Sequence, residues 1–150
     1  MVNNNTQILL IEDNPGDIRL TQEAFKIINK NQTLFITRDG EEAVKFLFKN
    51  HPFEDHPTPD LIILDLNLPK KTGREVLSII KKDSDLKAIP TLILSTSKSY
   101  SDIKYCYENH ANSYLTKPVD LDVFFEMIRD VYNFWCKTVT LPTINNMITK

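Results

Sequence analysis

Glycine is scarce in this chain, with three residues in 150, and neither GxGxxG nor GxxxxGK[ST] occurs. Without those phosphate-cradling turns, a Rossmann or P-loop nucleotide site is disfavoured. Cysteine is scarcer still. Cys106 and Cys136 fit no metal or redox spacing and read as reduced thiols of a cytosolic protein. No apolar run exceeds the length of a strand, so no bilayer-spanning segment is expected. The opening residues, Met1 to Thr6, lack the basic and apolar regions of a signal peptide. These absences together place the chain in the cytoplasm, away from membranes. The formal net charge of −2 is too close to balance for wrapping nucleic acid, and there is no basic patch. His51, His56 and His110 stand apart from one another and read as loop or helix-end residues rather than ligands.

What is present is enough for one domain with a true core: 41% of residues are hydrophobic and 25% charged. Apolar runs and helical patterns alternate. Gln7 to Glu12 reads as a first strand, and Asn14-Pro15-Gly16-Asp17 opens a helix to about Asn29. Asn14 suits the N-cap, Pro15 the first helical position, and Asp17 the positive end of the helix dipole. Thr33 to Thr37 is a second strand, and Glu41 to Phe48 a helix with Ala43, Val44 and Leu47 inward. The proline-rich stretch His51 to Pro59 is a loop. Leu61 to Leu64 is a strand of four branched aliphatics, the pattern of a strand covered on both faces. Gly73 to Lys82 is a helix with Val76, Leu77 and Ile80 inward. Thr91 to Ser95 is a fourth strand, Ser99 to Asn109 a helix, Asn112 to Thr116 a fifth strand. Asp120 caps a last helix to about Trp135. Five strands alternating with five helices imply an α/β fold, a doubly wound parallel sheet. The expected division is a loose N-terminus over 1–6, one domain over 7–137 and a tail over 138–150.

The chemistry gathers where strands stop. Strand one ends at Glu12 and Asp13, strand three at Asp65, strand four at Ser95 and Thr96, strand five at Lys117. In a parallel sheet these ends share one edge, where open α/β sheets bind ligands. Alone, Asp65 is as readily a turn cap; four strand ends delivering reactive groups together are not explained by capping. Two like charges about 4 Å apart repel by roughly 4 kcal/mol at an effective dielectric near 20. Three acids in one place therefore need a cation. Lys117 offers one charge. A hard ion such as Mg²⁺ or Mn²⁺ offers two and takes oxygen ligands. With no His or Cys among the candidates, zinc is disfavoured.

IEDN at strand one, LDLNLPKKTG at strand three, LST at strand four and YLTKP at strand five resemble the receiver domain of two-component response regulators. The likeness spans about Gln7 to Lys137. LNLPKKTGREVL and NFWCKTVTLP are similar to the single-domain regulators that accompany phytochromes. The resemblance implies a flavodoxin-like sheet of order 2-1-3-4-5. It implies Asp65 as phosphoacceptor from the phosphohistidine of a sensor histidine kinase, with a phytochrome as the candidate kinase. It implies Glu12, Asp13, Asp65 and the backbone carbonyl of Asn67 as Mg²⁺ ligands. Lys117 would pair with Asp65 and then with the phosphoryl group. Ser95 would be the switch hydroxyl, Tyr114 the aromatic that turns inward behind it, and Lys117-Pro118 a cis peptide. Two residues depart from the common pattern. Ser95 stands where Thr is more usual. Asn109-His110-Ala111 replaces a glycine, with Asn109 as a left-handed helix terminator.

On the last helix, Leu121, Phe124, Phe125, Ile128, Val131, Tyr132 and Trp135 share one sector and are expected against the sheet. Val123, Met127 and Phe134 fill an adjoining sector, more apolar surface than one stripe requires. The expectation is a homodimer face formed with helix four, strand five and the tail; the alternative, compatible with it, is that the tail, with Leu141, Ile144 and Met147, folds back and covers the excess. The leading expectation is a phosphorylation-switched signalling module without an output domain, a phosphoacceptor that assists its own loading and unloading rather than an enzyme. The alternatives are an aspartyl-nucleophile phosphatase and a receiver-like module that binds partners without phosphorylation.

Overall fold

The computed structural model of the protein describes residues 5–28 and 32–142. Most of the N-terminal segment, the anticipated helix end at Asn29, and Ile144 and Met147 of the tail lie outside the described residues. The elements are β1 (Thr6–Ile11), α1 (Pro15–Ile28), β2 (Gln32–Thr37), α2 (Gly40–Leu47), β3 (Leu61–Leu64), α3 (Gly73–Lys82), β4 (Thr91–Ser95), α4 (Tyr100–Glu108), β5 (Ser113–Thr116) and α5 (Leu121–Val131). Past Val131 the last helix widens into a π-helical stretch, Tyr132–Thr138.

The five strands form one parallel sheet in the order β2-β1-β3-β4-β5. Side chains alternate between its faces, as strand geometry requires. Ile8, Leu10, Leu61, Ile63, Leu92 and Leu94 meet the inner sides of α1 and α5. Leu9, Ile11, Ile62, Leu64 and Ile93 meet α2, α3 and α4. Every residue of β3 is buried, which is why its sequence shows no alternation. Register places the ends of β1 and β3 side by side: Ile11 pairs with Leu64, and Asp65 N donates to the Ile11 carbonyl at 3.0 Å.

Capping fixes where the helices begin. Asn14 Oδ1 accepts from Asp17 N at 3.0 Å, and Asp120 accepts from Val123 N at 3.0 Å. Thr72 and Glu75 form a reciprocal capping box at the start of α3. Lys81 closes the far end of that helix. Its ammonium donates to the carbonyls of Lys87 (3.0 Å) and Ile89 (2.9 Å) and to Asn112 Oδ1 (3.3 Å), tying α3 to the approaches of β4 and β5.

Several expectations need correction. Leu121, expected against the sheet, is half exposed, because it sits in the first turn of α5, ahead of the turns that pack. The left-handed residue after α4 is His110 (φ 68°), while Asn109 is the C-cap at φ −97°. The left-handed position is the first one past the cap, so the motif falls one residue later than expected. Lys117-Pro118 is trans, and the one cis bond among the described residues is His51-Pro52. The two isomers of an X-Pro bond differ by only about 0.5–1 kcal/mol, too little for sequence likeness to decide. His56 is not simply a surface loop residue. Its ring packs edge-on among Phe35, Phe46 and Phe53, with centroids 5.2–5.8 Å away.

Two of the three glycines stand where backbone meets backbone. A Cβ on Gly73 would overlap the Asp65 carbonyl and the Leu66 Cα, and one on Gly40 would overlap the Lys71 carbonyl. Gly73→Ala is expected to cost about 1–3 kcal/mol, as overpacking does, because neither partner is a flexible side chain. Urea unfolding of wild type and variant measures it, and an unchanged midpoint would contradict the close approach.

Candidate functional site

The strand ends deliver their polar groups to one place. Glu12 follows β1 and is buried, its backbone N–H held by the Thr37 carbonyl at 3.0 Å. Asp13, next along, is exposed. Asp65 follows β3 and is 5% exposed. Each of these three acids offers a carboxylate oxygen within 4.8 Å of the other two. Asn67 folds over Asp65, donating its backbone N–H to Asp65 Oδ1 at 3.2 Å. Gly73 N closes the same loop onto the Leu66 carbonyl at 2.9 Å.

Lys117 comes from the end of β5, its backbone N–H bonded to the Ser95 carbonyl at 2.8 Å. Its buried ammonium lies 2.7 Å from Glu12 Oε1, 2.8 Å from Asp17 Oδ2 and 3.3 Å from Asp65 Oδ2. Asp17 does more than complement the dipole of α1. Its place on the first turn turns its carboxylate to the lysine as well, a link across 100 residues that no local pattern reveals.

Electrostatics follows from this crowding. Burial pushes the Glu12 carboxyl up to about 7, helped by its hydrogen bond with Asp65 and opposed by Lys117. Burial works to lower the Lys117 pKa, but hydrogen bonds to Asp17 and Glu12 and the charges of Asp65 and Glu12 outweigh it, and the net shift is upward. The carboxylates thus outnumber the cation that faces them. An all-oxygen donor set with surplus negative charge suits a hard divalent ion.

On the β4 side, Ser95 is fully buried and its Oγ accepts from Ser97 N at 3.1 Å, whereas Thr96 is exposed. Tyr114 on β5 is half-buried, its hydroxyl donating to the Ser97 carbonyl at 2.8 Å. Sequence reasoning missed the group that anchors this loop. Arg74 on α3 donates to Asp102 Oδ1 (2.7 Å from Nη2, 3.3 Å from Nε) and lies over the Tyr105 ring at 4.5 Å. The other oxygen of Asp102 accepts from the Ser97 hydroxyl. An arginine one residue into a helix carries no signal that would have singled it out.

The sequence and the fold both have counterparts among known proteins. Residues 8–129 match the family described as the response regulator receiver domain. Response regulator Rcp1 from Synechocystis is 49% identical over 135 residues, covering 90% of this chain and 92% of that protein. The phosphorylated cyanobacterial phytochrome response regulator RcpA superposes with a TM-score of 0.89 at 45% identity, over 92% of this chain and 99% of that one. The Mn²⁺-bound form of Rcp1 gives 0.88 at 48% identity, over 91% and 99%.

Lys117→Met should remove the one cation that, among the described residues, pairs with both Glu12 and Asp65. In chelator at pH 8 the expected loss is about 3 kcal/mol, the scale for breaking a buried pair. The deficit should narrow as pH falls. Glu12 has a folded pKa of about 7, above its ordinary 4.5, so the folded state gains stability as it takes up that proton. Without the lysine the gain is larger. Urea unfolding at pH 8 and 5.5 reads both effects, and an equal deficit at the two pH values would contradict the shared-cation account.

Proposed function

This chain belongs to the response regulator receiver domain family, and we propose that it accepts a phosphoryl group on Asp65 from a phosphohistidine of a sensor kinase. The observation that carries the reading is the position of Asp65. It is a buried carboxylate 3.3 Å from Lys117, with two further carboxylates within 4.8 Å. In the transfer, an Asp65 oxygen forms the new O–P bond as the N–P bond of phosphohistidine breaks, and the bonding pair returns to the imidazole nitrogen. Phosphoryl transfer asks for positioning and charge stabilisation rather than covalent assistance. Glu12, Asp13, Asp65 and the Asn67 carbonyl would hold Mg²⁺ or Mn²⁺, which supplies positive charge to the phosphoryl oxygens. The Mn²⁺-bound relative supports that assignment. Lys117 is already beside Asp65 and can exchange its carboxylate for a phosphoryl oxygen. Ser95 can release the Ser97 amide and donate its hydroxyl to the new group. Because Ser97 also holds the Tyr114 hydroxyl, that exchange would reach β5 and the face made by α4, β5 and α5.

The related phytochrome regulators support a phytochrome-type histidine kinase as the phosphodonor. No helix among the described residues is long and apolar enough to cross a membrane, and we place the protein in the cytoplasm. Phe134, Val123 and Leu121 are each about half exposed, which supports a homodimer through α4, β5, α5 and the tail.

Incubation with Mg²⁺ and acetyl phosphate, followed by intact mass measurement, tests the main reading. One phosphoryl adduct is expected on wild type and none on Asp65→Asn. Repeated turnover of a phosphoester without an adduct would instead select the phosphatase. Absence of both adduct and Mg²⁺ binding would leave only the unphosphorylated binding module. For the dimer, sedimentation should give a dimer for wild type and a monomer for Phe134→Asp. Monomers in both, before and after phosphorylation, would remove that part.

A further inference from the structure

Lys117 has more carboxylate partners than loading Asp65 requires. Asp17 Oδ2 approaches the ammonium to 2.8 Å, closer than Asp65 Oδ2 at 3.3 Å. Asp17 is also well fixed. Its N–H donates to Asn14 Oδ1 at 3.0 Å, and its carbonyl accepts from Thr21 Oγ1 at 2.8 Å. Unlike Glu12 and Asp65, its side chain reaches the rim of the site, at 28% exposure against 2% and 6%. It is not one of the three acids whose oxygens converge within metal-binding distance.

We propose that Asp17 is a positioning residue that draws the Lys117 ammonium toward α1 and so opposes loading of a phosphoryl group onto Asp65. The inference rests on the phosphoacceptor reading above. Simple counting gives its sense. With Glu12 ionised, as a metal ligand must be, Glu12, Asp13, Asp17 and Asp65 carry four negative charges against one on Lys117 and two on a bound divalent ion. Loading replaces the single charge of Asp65 with a phosphoryl charge of about −1.5 to −2, so the site becomes more negative still. Asp17 is the acid in this set that adds negative charge without adding a ligand. Two oxygens that share one ammonium lie within about 6 Å of each other, close enough for unscreened repulsion at a buried edge. A phosphoryl group must therefore recruit Lys117 from Asp17 and bear the repulsion of that carboxylate. If Asp17 served only the dipole of α1, its removal would lower stability slightly and leave ligand affinity unchanged.

The test uses the full chain, with beryllofluoride as the phosphoryl mimic at saturating Mg²⁺, followed by calorimetry or fluorine NMR. Asp17→Asn is expected to bind beryllofluoride about tenfold more tightly than wild type, while binding Mg²⁺ alone no more tightly. A general loss of structure would weaken both. Asp17→Glu keeps the charge and should stay near the wild-type affinity. Asp17→Ser repeats the neutralisation with a smaller, helix-compatible side chain. Unchanged or weaker beryllofluoride binding in both neutral variants would overturn the inference, as would Asp17→Glu matching them. If wild type itself binds no beryllofluoride, the phosphoacceptor reading falls and this inference with it. Wild-type binding that the neutral variants leave unaltered removes only the role of Asp17.

Discussion

One ammonium shared among three carboxylates is the interaction on which the rest of this structure depends. Glu12, Asp17 and Asp65 all lie within 3.3 Å of Lys117 Nζ. The carboxylates that share it lie within about 6 Å of one another and repel by roughly 3 kcal/mol at an effective dielectric near 20. The arrangement persists because none of the four can move away freely. Glu12, Asp65 and Lys117 are each attached to the end of a strand in one hydrogen-bonded sheet, and Asp17 to a capped first turn. The apolar layers on both faces hold that sheet rigidly enough to keep the charges together. The core is thus a condition for the chemistry and not merely its support.

The sheet and its edge were legible because strands buried on both faces leave a strong pattern. Four consecutive aliphatics ending in an acid mark β3 without ambiguity, and α3 runs over the Gly73–Lys82 span expected of it. The strand ends could be grouped because parallel topology puts them on one side. What stayed hidden depends on directions of side chains across long separations. Asp17 looked like a dipole partner because its local position suits that role equally well. Arg74 and Asp102 lie on different helices and meet only through tertiary packing. His56 looked like a loop histidine, yet the loop returns it to three phenylalanines from β2, α2 and the loop itself. Leu121 obeyed the angular pattern but not the packing, since an angle says nothing about how far along its axis a helix touches the sheet.

The Arg74 group connects two halves of the molecule that the sheet alone does not. Asp102 takes hydrogen bonds from Arg74 on α3 and from Ser97 in the loop before α4. Ser97 in turn bonds Ser95 through its amide and Tyr114 through its carbonyl. Charge-assisted bonds of this kind are stronger and more directional than neutral ones. The loop between β4 and α4 is therefore braced at one side chain and two backbone groups, and the residues beside the charged edge and those on β5 are linked through a single serine.

The contacts at Gly73 and Gly40 give the site an uneven mechanical compliance. At Gly73 the chain rests directly on the carbonyl of Asp65, with no side chain between them to deform. At Gly40 a second backbone contact clamps the same loop from α2. Backbone against backbone is stiff, whereas hydroxyls and a lysine stem can rotate. A change of charge at Asp65 consequently meets a hard seat beneath it and softer groups across from it. Strain generated there would find its easiest outlet through Ser95, Ser97 and Lys117, so two of the few glycines set a bias in which direction the molecule yields.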